Sequence, residues 1–343
     1  VTRHILRSYQ EQVLRDLGGI QRAILVAPTG AGKTVIAAEM VRRALARSLR
    51  VLFLVHRREL VEQAAGHFGQ CGIIQAGTKP SPDEPVQVAS VMTQVRREAP
   101  PAGLVILDEC HRAAAKTYRD ILAQYPDAIW RGLTATPCRL NGEGLGSVGF
   151  TKLVLTPDTR ALIEAGHLAR FDYYAPATMD MTGVKKAGGD YAVAASAERA
   201  MPVVGQAVDH YRQFVDGGRV IVFAVTVEHS RALCDQFTTA GIAAEHADGN
   251  TPTAERADVM ARFKSGDTRV LCQVGLVSEG FDSPECDGVI IARPTASLVF
   301  HRQACGRALR PKADGRRAVL IDCAGNWDRL GLPDDPVTWT LDG

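Results

Sequence analysis

Two α/β domains, each built around a buried parallel sheet, are what this sequence predicts, and three observations predict them. Short β-branched or Leu-rich runs alternate with longer helical patterns in both halves of the chain. Those runs are apolar throughout instead of alternating, as strands covered on both faces are. At 343 residues the chain also exceeds what one hydrophobic core usually supports.

In the first half the strand-like runs are "AILVA" (23–27), "VLFLV" (51–55), "VQVASV" (86–91), "LVILD" (104–108) and "WRGLTA" (130–135). Between the first two, residues 33–48 place Val35, Ile36, Met40, Val41, Ala44 and Leu45 on one helical face, with Arg42, Arg43 and Arg47 on its solvated side. The pattern breaks at 139–160, which holds the Gly-rich "LNGEGLGSVG" and the turn "TPDT", and again at the Ala/Gly-rich stretch 176–202. Within the latter, "TGVKKAGGDY" (182–191) reads as a linker turn, the alternative being a hairpin that contacts or separates nucleic-acid strands. Alternation resumes with "RVIVFAV" (219–225), "RVLCQV" (269–274), "GVIIAR" (288–293) and "AVLID" (318–322), and helical patterns lie near 228–240, 253–265 and 297–310. The domains are expected at 1–165 and 166–343.

Composition narrows the class. Hydrophobic residues at 46% and charged residues at 23% are typical of a globular protein, and no apolar run reaches the ~18–20 residues of a membrane-spanning helix. A net charge of +2 gives no general basic surface, so any nucleic-acid contact must be local. The eight cysteines are scattered with no C-x-x-C pair, which argues against a zinc site of ribbon or finger type. Most sit in apolar runs as reduced thiols do, so a cytoplasmic compartment is expected.

The stretch "APTGAGKT" (27–34) follows a strand and opens a helix, the context a phosphate-binding loop requires. Thr29, Gly30, Ala31 and Gly32 would close backbone N–H groups around phosphate, Lys33 would reach the β- and γ-phosphates, and the Thr34 hydroxyl would ligate Mg²⁺. Ala27 stands where the strict pattern has its first Gly. "LVILDECH" (104–111) ends a second strand in Asp108 and Glu109. Asp108 can hold Mg²⁺, and Glu109 can orient and deprotonate the attacking water. ATP and Mg²⁺ are the ligands these residues specify.

"APTGAGKT", "DECH", "GLTATP" (132–137) and "QACGRALR" (303–310), in this order and at these intervals, resemble the superfamily 2 helicases, and more closely the DECH-box branch with bacterial RadD-type and phage-encoded DNA helicases. The resemblance implies two RecA-like domains in tandem with ATP in the cleft between them. It implies that Arg7 and Gln10 in "LRSYQ" read the adenine, and that Gly280 and Asp282 in "EGFD" contact nucleotide, the Asp at the ribose. It makes His111, Thr134 and Thr136 coupling residues, and Arg57, Thr93 and Gln94 nucleic-acid contacts.

In "HRQACGRALR" (301–310), Gln303, Arg307 and Arg310 share a helical stripe, falling within roughly 60° of one another at about 100° per residue. The second half has no phosphate loop of its own. An arginine from outside that loop stabilises the charge that spreads over the γ-phosphate, so this stripe is expected to be catalytic, with His301 and Arg302 pointing elsewhere, on a solvated face. The function expected is an ATP-dependent DNA helicase or translocase on single-stranded, forked or branched DNA, in repair, replication or recombination. Two alternatives stay open. One is a nucleotide-gated clamp or a motor subunit of a larger complex, since relatives often carry a further C-terminal region with cysteines. The other is an RNA helicase.

Overall fold

The apolar runs of the first half line up as parallel strands of one sheet in a computed structural model that describes residues 4–56, 58–138, 144–276 and 286–342. The strands are β1 (Arg22–Val26), β2 (Val51–Val55), β3 (Gly72–Ile74), β4 (Val86–Ser90), β5 (Leu104–Asp108), β6 (Ile129–Thr134) and β7 (Lys152–Leu155). Their spatial order is β3-β4-β2-β5-β6-β1-β7, and every neighbouring pair is parallel. Parallel neighbours need crossovers, and helices α1 (Ser8–Asp16), α2 (Lys33–Leu45), α3 (Arg58–Phe68), α4 (Val91–Gln94) and α5 (Lys116–Leu122) lie among the strands. Both faces are covered. Leu25 and Phe53 join Ile36, Val41 and Phe68 on one side, while Ile24 and Leu54 join Tyr118, Ile121 and Trp130 on the other. Successive residues of one strand thus enter different cores, which is why the runs are apolar throughout.

The second half continues with α6 (Thr159–Glu164), β8 (Phe171–Tyr174), β9 (Lys186–Ala187), β10 (Asp190–Tyr191), α7 (Val193–Ala200) and α8 (Val204–Phe214). Next come β11 (Val220–Phe223), α9 (Val227–Thr239), β12 (Ala244–Ala247), α10 (Thr253–Ser265), β13 (Val270–Gln273) and β14 (Gly288–Ile291). The last elements are α11 (Leu298–Gly306), β15 (Ala318–Asp322) and α12 (Asn326–Leu330). The second sheet runs β12-β13-β11-β14-β15-β8, again wholly parallel. Strands β9 and β10 form a separate antiparallel hairpin. Residues 182–191 are therefore not a linker turn: Gly188 and Gly189 take φ of 62° and 90°, as a tight two-residue hairpin demands.

Four strands absent from the sequence reading, β3, β7, β8 and β12, are the edge strands of the two sheets. An edge strand has one unpaired side and partial exposure, so no unbroken apolar run betrays it.

The chain divides into one unit of Val1–Asp158 with Pro336–Gly343 and another of Thr159–Asp335. This departs from the expected 165/166 division in two ways. Helix α6 goes with the second unit, because Leu168 N–H returns to Leu162 O at 3.1 Å and Ala169 N–H bonds Leu309 O at 2.8 Å. The last residues rejoin the first unit: Gly144 N–H bonds Asp342 O and Gly146 N–H bonds Leu341 O, both at 2.8 Å, while Trp339 and Leu341 pack on its core. No described helix is long and apolar enough to cross a membrane.

On α2, Arg42 and Arg43 do not simply face solvent. They turn back on buried Glu39, with Arg42 Nε and Arg43 Nε both 2.7 Å from its oxygens. The Arg42 guanidinium foremost, then that of Arg43, holds the Glu39 carboxyl down at about 2, against burial. A depressed carboxyl stabilises the fold above its ordinary value of 4.5 and loses that contribution as pH falls toward 2. Glu39→Gln should destabilise the first unit by roughly 1–3 kcal/mol at neutral pH. In denaturant titrations the gap to wild type should narrow as pH falls below that ordinary value.

Candidate functional site

Strand β1 delivers the chain to the phosphate loop, and Ala27 N–H bonds Thr134 O at the end of β6 at 2.9 Å. Ala27, in the place of the customary first Gly, is fully buried, so its methyl fits where it stands. Gly30 and Gly32 have φ of 87° and 80°, the left-handed region that L side chains avoid. The Ala31 carbonyl accepts from Tyr9 Oη at 2.8 Å and from Gln10 Nε2 at 3.3 Å. Gln10 Oε1 in turn accepts Arg7 N–H at 2.9 Å. A Cβ on Gly32 would meet Gln10 Nε2 at 2.6 Å, so this glycine is needed for space as well as for φ. Helix α1 thereby braces the loop from beneath. Tyr9 was missed by sequence reasoning; its only signal is its place between Arg7 and Gln10. Lys33 Nζ donates to Ala27 O at 3.1 Å and so lies across the loop. Thr34 is exposed on the first turn of α2, whose N-terminus has no side-chain cap.

Strand β6 lies between β1 and β5, so three strand ends meet at one edge of the sheet. Asp108 closes β5, and Glu109 follows with φ 48° and ψ 53°. A non-glycine residue in that region costs roughly 1–2 kcal/mol, and such strain gathers where a side chain must be aimed. Glu109 N–H donates to Asp108 Oδ1 at 3.0 Å. His111 Nδ1 lies 3.3 Å from Glu109 Oε2 and 3.3 Å from Thr134 Oγ1. The Thr134 hydroxyl donates to Thr136 O at 2.9 Å and accepts Thr136 N–H at 3.1 Å. With that hydroxyl hydrogen spent on Thr136, the fitting His111 tautomer carries its proton on Nδ1. His111, Thr134 and Thr136 are thus hydrogen-bonded together, and the Glu109 carboxylate lies within ion-pairing distance of His111. Thr136 Oγ1 is buried and has no hydrogen-bond partner among the described residues.

Burial first, then the Glu109 charge, pushes the Asp108 carboxyl up, and Lys33 draws it partly back. A carboxylate in that environment is stabilised by a cation. Among the described residues no group of three or more His, Cys, Asp or Glu side chains could hold a metal alone. One carboxylate and one hydroxyl suit Mg²⁺, which keeps waters and shares phosphate oxygens. The residues present fit that ion.

In the second unit, Ser297 Oγ caps α11 by accepting Phe300 N–H at 3.3 Å. Gln303 is 4% exposed and its Nε2 has no partner among the described residues. The helix ends at Gly306 with Arg307 as its C-cap. The chain then tightens, with Arg307 N–H to Ala304 O and Ala308 N–H to Cys305 O at 3.2 Å each. Arg310 therefore lies beyond the helix, and the expected stripe holds for Gln303 and Arg307 but not for Arg310. Pro311 disfavours helix at 310, and Leu309 O is taken by Ala169 N–H. Arg307 and Arg310 are both partly exposed. His301 is buried, with Nε2 at 3.2 Å from Gly331 O, which corrects its expected place on a solvated face. Arg302 donates to Asp335 O.

Of the expected nucleic-acid contacts, Thr93 is partly exposed on α4, while Gln94 is 1% exposed and donates to Glu98 O at 3.2 Å. The Gln94 side chain is thus turned inward onto the turn after α4. Arg57, Gly280 and Asp282 lie outside the described residues.

Residues 3–139 match the family described as "Type III restriction enzyme, res subunit", and residues 205–312 match "Helicase conserved C-terminal domain". A Lactococcus phage protein (isolate 7-9), named only as a 51.5 kDa protein, is 34% identical over 92% of this chain and 68% of its own. A Saccharomyces cerevisiae protein named as an ATP-dependent helicase, IRC3, is 27% identical over 94% of this chain and 52% of its own. The chain thus spans about half to two thirds of the length of these relatives. Among solved structures, a fragment named as an HsdR subunit of a type I restriction enzyme from Vibrio vulnificus YJ016 superposes with a TM-score of 0.74 at 23% identity, covering 97% of this chain and 67% of its own. The ATP-dependent Type ISP restriction-modification enzyme LlaBIII, solved bound to DNA, gives 0.67 at 19% identity, over 93% of this chain and 27% of its own. At these identities the structures show the fold alone: two RecA-like domains in tandem.

One residue tests how tightly the acid turn is built. A Cβ on Gly132 would meet Cys110 Sγ at 2.7 Å and Ile24 Cγ1 at 3.2 Å. Gly132→Ala should cost about 1–3 kcal/mol in denaturant titrations, and adding Cys110→Ala should recover part of the loss.

Proposed function

Because the chain belongs to the superfamily 2 helicases, we propose that it is an ATP-dependent nucleic-acid motor, a DNA helicase or translocase that couples ATP hydrolysis to movement along DNA or its unwinding. One observation carries the proposal. The phosphate loop, the acidic pair and the Thr134–Thr136 turn stand on three adjacent parallel strand ends, joined through His111. Such an edge is where a parallel α/β sheet takes its ligand.

In this account the loop amides of Thr29 to Lys33 cradle the phosphates of ATP, and Lys33 leaves Ala27 O to pair with the β- and γ-oxygens. Thr34 and Asp108 would hold Mg²⁺, which when bound neutralises charge on those oxygens. Glu109 orients the attacking water and takes its proton on a carboxylate oxygen, while His111 holds that carboxylate in line. Arg307 and Arg310 of the second unit stabilise the charge that develops on the γ-phosphate, and the Gln303 amide, whose Nε2 has no partner among the described residues, donates to it. Arg7 and Gln10 contact the adenine from the base of the loop. Gly280 and Asp282 serve the ribose side. Arg57 and Thr93 lie against the nucleic-acid backbone, to which Gln94 contributes only by shaping its turn. Thr134 and Thr136 carry the state of the nucleotide from His111 toward that backbone. DNA is favoured over RNA by the resemblance of residues 3–139 to a restriction-enzyme subunit. The eight cysteines, all free, suit a reducing, cytoplasmic setting.

Arg307→Ala should lower ATP turnover about a thousandfold or more while nucleic-acid affinity by fluorescence anisotropy stays near wild type. Collapse of binding instead would put Arg307 on the nucleic acid. Forked DNA should be unwound in an ATP-dependent strand-displacement assay. Turnover without displacement would identify a clamp or motor subunit, and stimulation by RNA alone would identify an RNA motor.

A further inference from the structure

One carboxylate of the hairpin at 186–191 gathers most of its polar contacts to the rest of the second unit, while Tyr191 packs on that unit's core. Asp190 is 9% exposed, and Oδ2 accepts Arg293 Nη2 at 2.7 Å. Thr295 Oγ1 lies 2.9 Å from each carboxylate oxygen, and Oδ1 accepts Ala296 N–H at 2.7 Å and Tyr191 N–H at 2.8 Å. Apart from Tyr191, those partners fall in residues 293–296, and the next residue, Ser297, is the N-cap of α11. Arg293 also lies 4.4 Å over the Phe300 ring in the first turn of that helix. From the other side, Asn326 Oδ1 accepts Thr295 N–H at 2.8 Å, and Asn326 Nδ2 donates to buried Asp322 at 3.0 Å. The approach to α11 is thus gripped between the core and the hairpin.

The outer end of the hairpin has a different character. Residues 182–189 contain two lysines and no acid. Lys185 and Lys186 are exposed, and neither forms an ion pair among the described residues. A Cβ on Gly188 would meet nothing within 4 Å, so the tip is open. A cationic finger without side chains at its tip fits a phosphodiester backbone, which approaches as a continuous line of charge.

We propose that the β9–β10 hairpin contacts a single nucleic-acid strand through Lys185 and Lys186, and that Asp190 is the positioning residue that transmits this contact to α11 and hence to Arg307. The link to Arg307 rests on the ATPase function proposed above; the link from hairpin to helix does not.

Hydrogen exchange on the full chain, with and without a single-stranded oligothymidylate, tests it. Oligothymidylate should slow amide exchange across 293–306 several-fold in wild type. That protection should vanish in Asp190→Asn and in the Lys185→Ala/Lys186→Ala pair. The salt dependence of binding should fall by about 1 in log–log slope for each lysine removed. Asp190→Asn should also lower kcat of DNA-stimulated ATP hydrolysis by about tenfold to a hundredfold with KM for ATP unchanged. Thr295→Val, which keeps the shape but removes both the donor to Asp190 and the acceptor of Ser297 N–H, should move both readouts the same way, and it serves if Asp190→Asn does not fold. Wild-type protection in both Asp190→Asn and Thr295→Val would overturn the transmission, and an unchanged salt slope in the lysine pair would overturn the contact. If wild type shows no ATP turnover, the proposed function fails, and the exchange pattern alone decides between hairpin and helix.

Discussion

The parallel register that sets β1 against β6 and β6 against β5 is the constraint on which the first unit depends. Val26 pairs with Thr134 and Asp108 with Leu133, so three strands end within one residue of the same line. The Ala27 N–H to Thr134 O bond extends that register one step into the phosphate loop. A slip of one residue would turn every side chain to the other face, exchanging the two cores and withdrawing Asp108 from the edge. The cores on the two faces guard against such a slip, because alternate residues of each strand are committed to opposite clusters.

On that frame the site is assembled from parts held by other parts. The loop is shaped by its glycines and braced by Tyr9 and Gln10 through a single carbonyl, that of Ala31. Glu109 is aimed by a left-handed backbone that the surrounding bonds maintain, and His111 ties it to the Thr134 turn. A change in the charge beside Glu109 therefore has a short route to Thr136, by ion pairing to His111 and by hydrogen bonds from there. This is the kind of two-ended element a motor needs if nucleotide state is to alter its grip elsewhere.

Much of this was legible in the sequence, and what was not has physical causes. Inner strands such as β2 and β5 announced themselves because both faces are buried, whereas the edge strands did not: β7, β8 and β12 carry charged residues, and β3 is only three residues long. The loop, the acidic pair and the threonine turn could be read because their chemistry demands particular residue types at fixed places. Gly132 could not, since its reason is the thickness of Cys110 across the sheet. The end of α11 was placed too late: periodicity continues through 310, but Pro311 and the Leu309 carbonyl stop the helix at Gly306. The Gly-Gly turn at 188–189 was visible as a turn, but the grip of Asp190 on residues more than a hundred positions away was not.

If the phosphate loop of the first unit binds ATP for hydrolysis that nucleic acid stimulates, steady-state ATP turnover of the wild-type chain and of Lys33→Ala, each with and without single-stranded DNA, will show it. Wild-type turnover should rise with DNA, and Lys33→Ala should lose both basal and stimulated turnover. Wild-type turnover indifferent to any nucleic acid, or a Lys33→Ala variant that hydrolyses ATP as wild type does, would overturn that role of the loop.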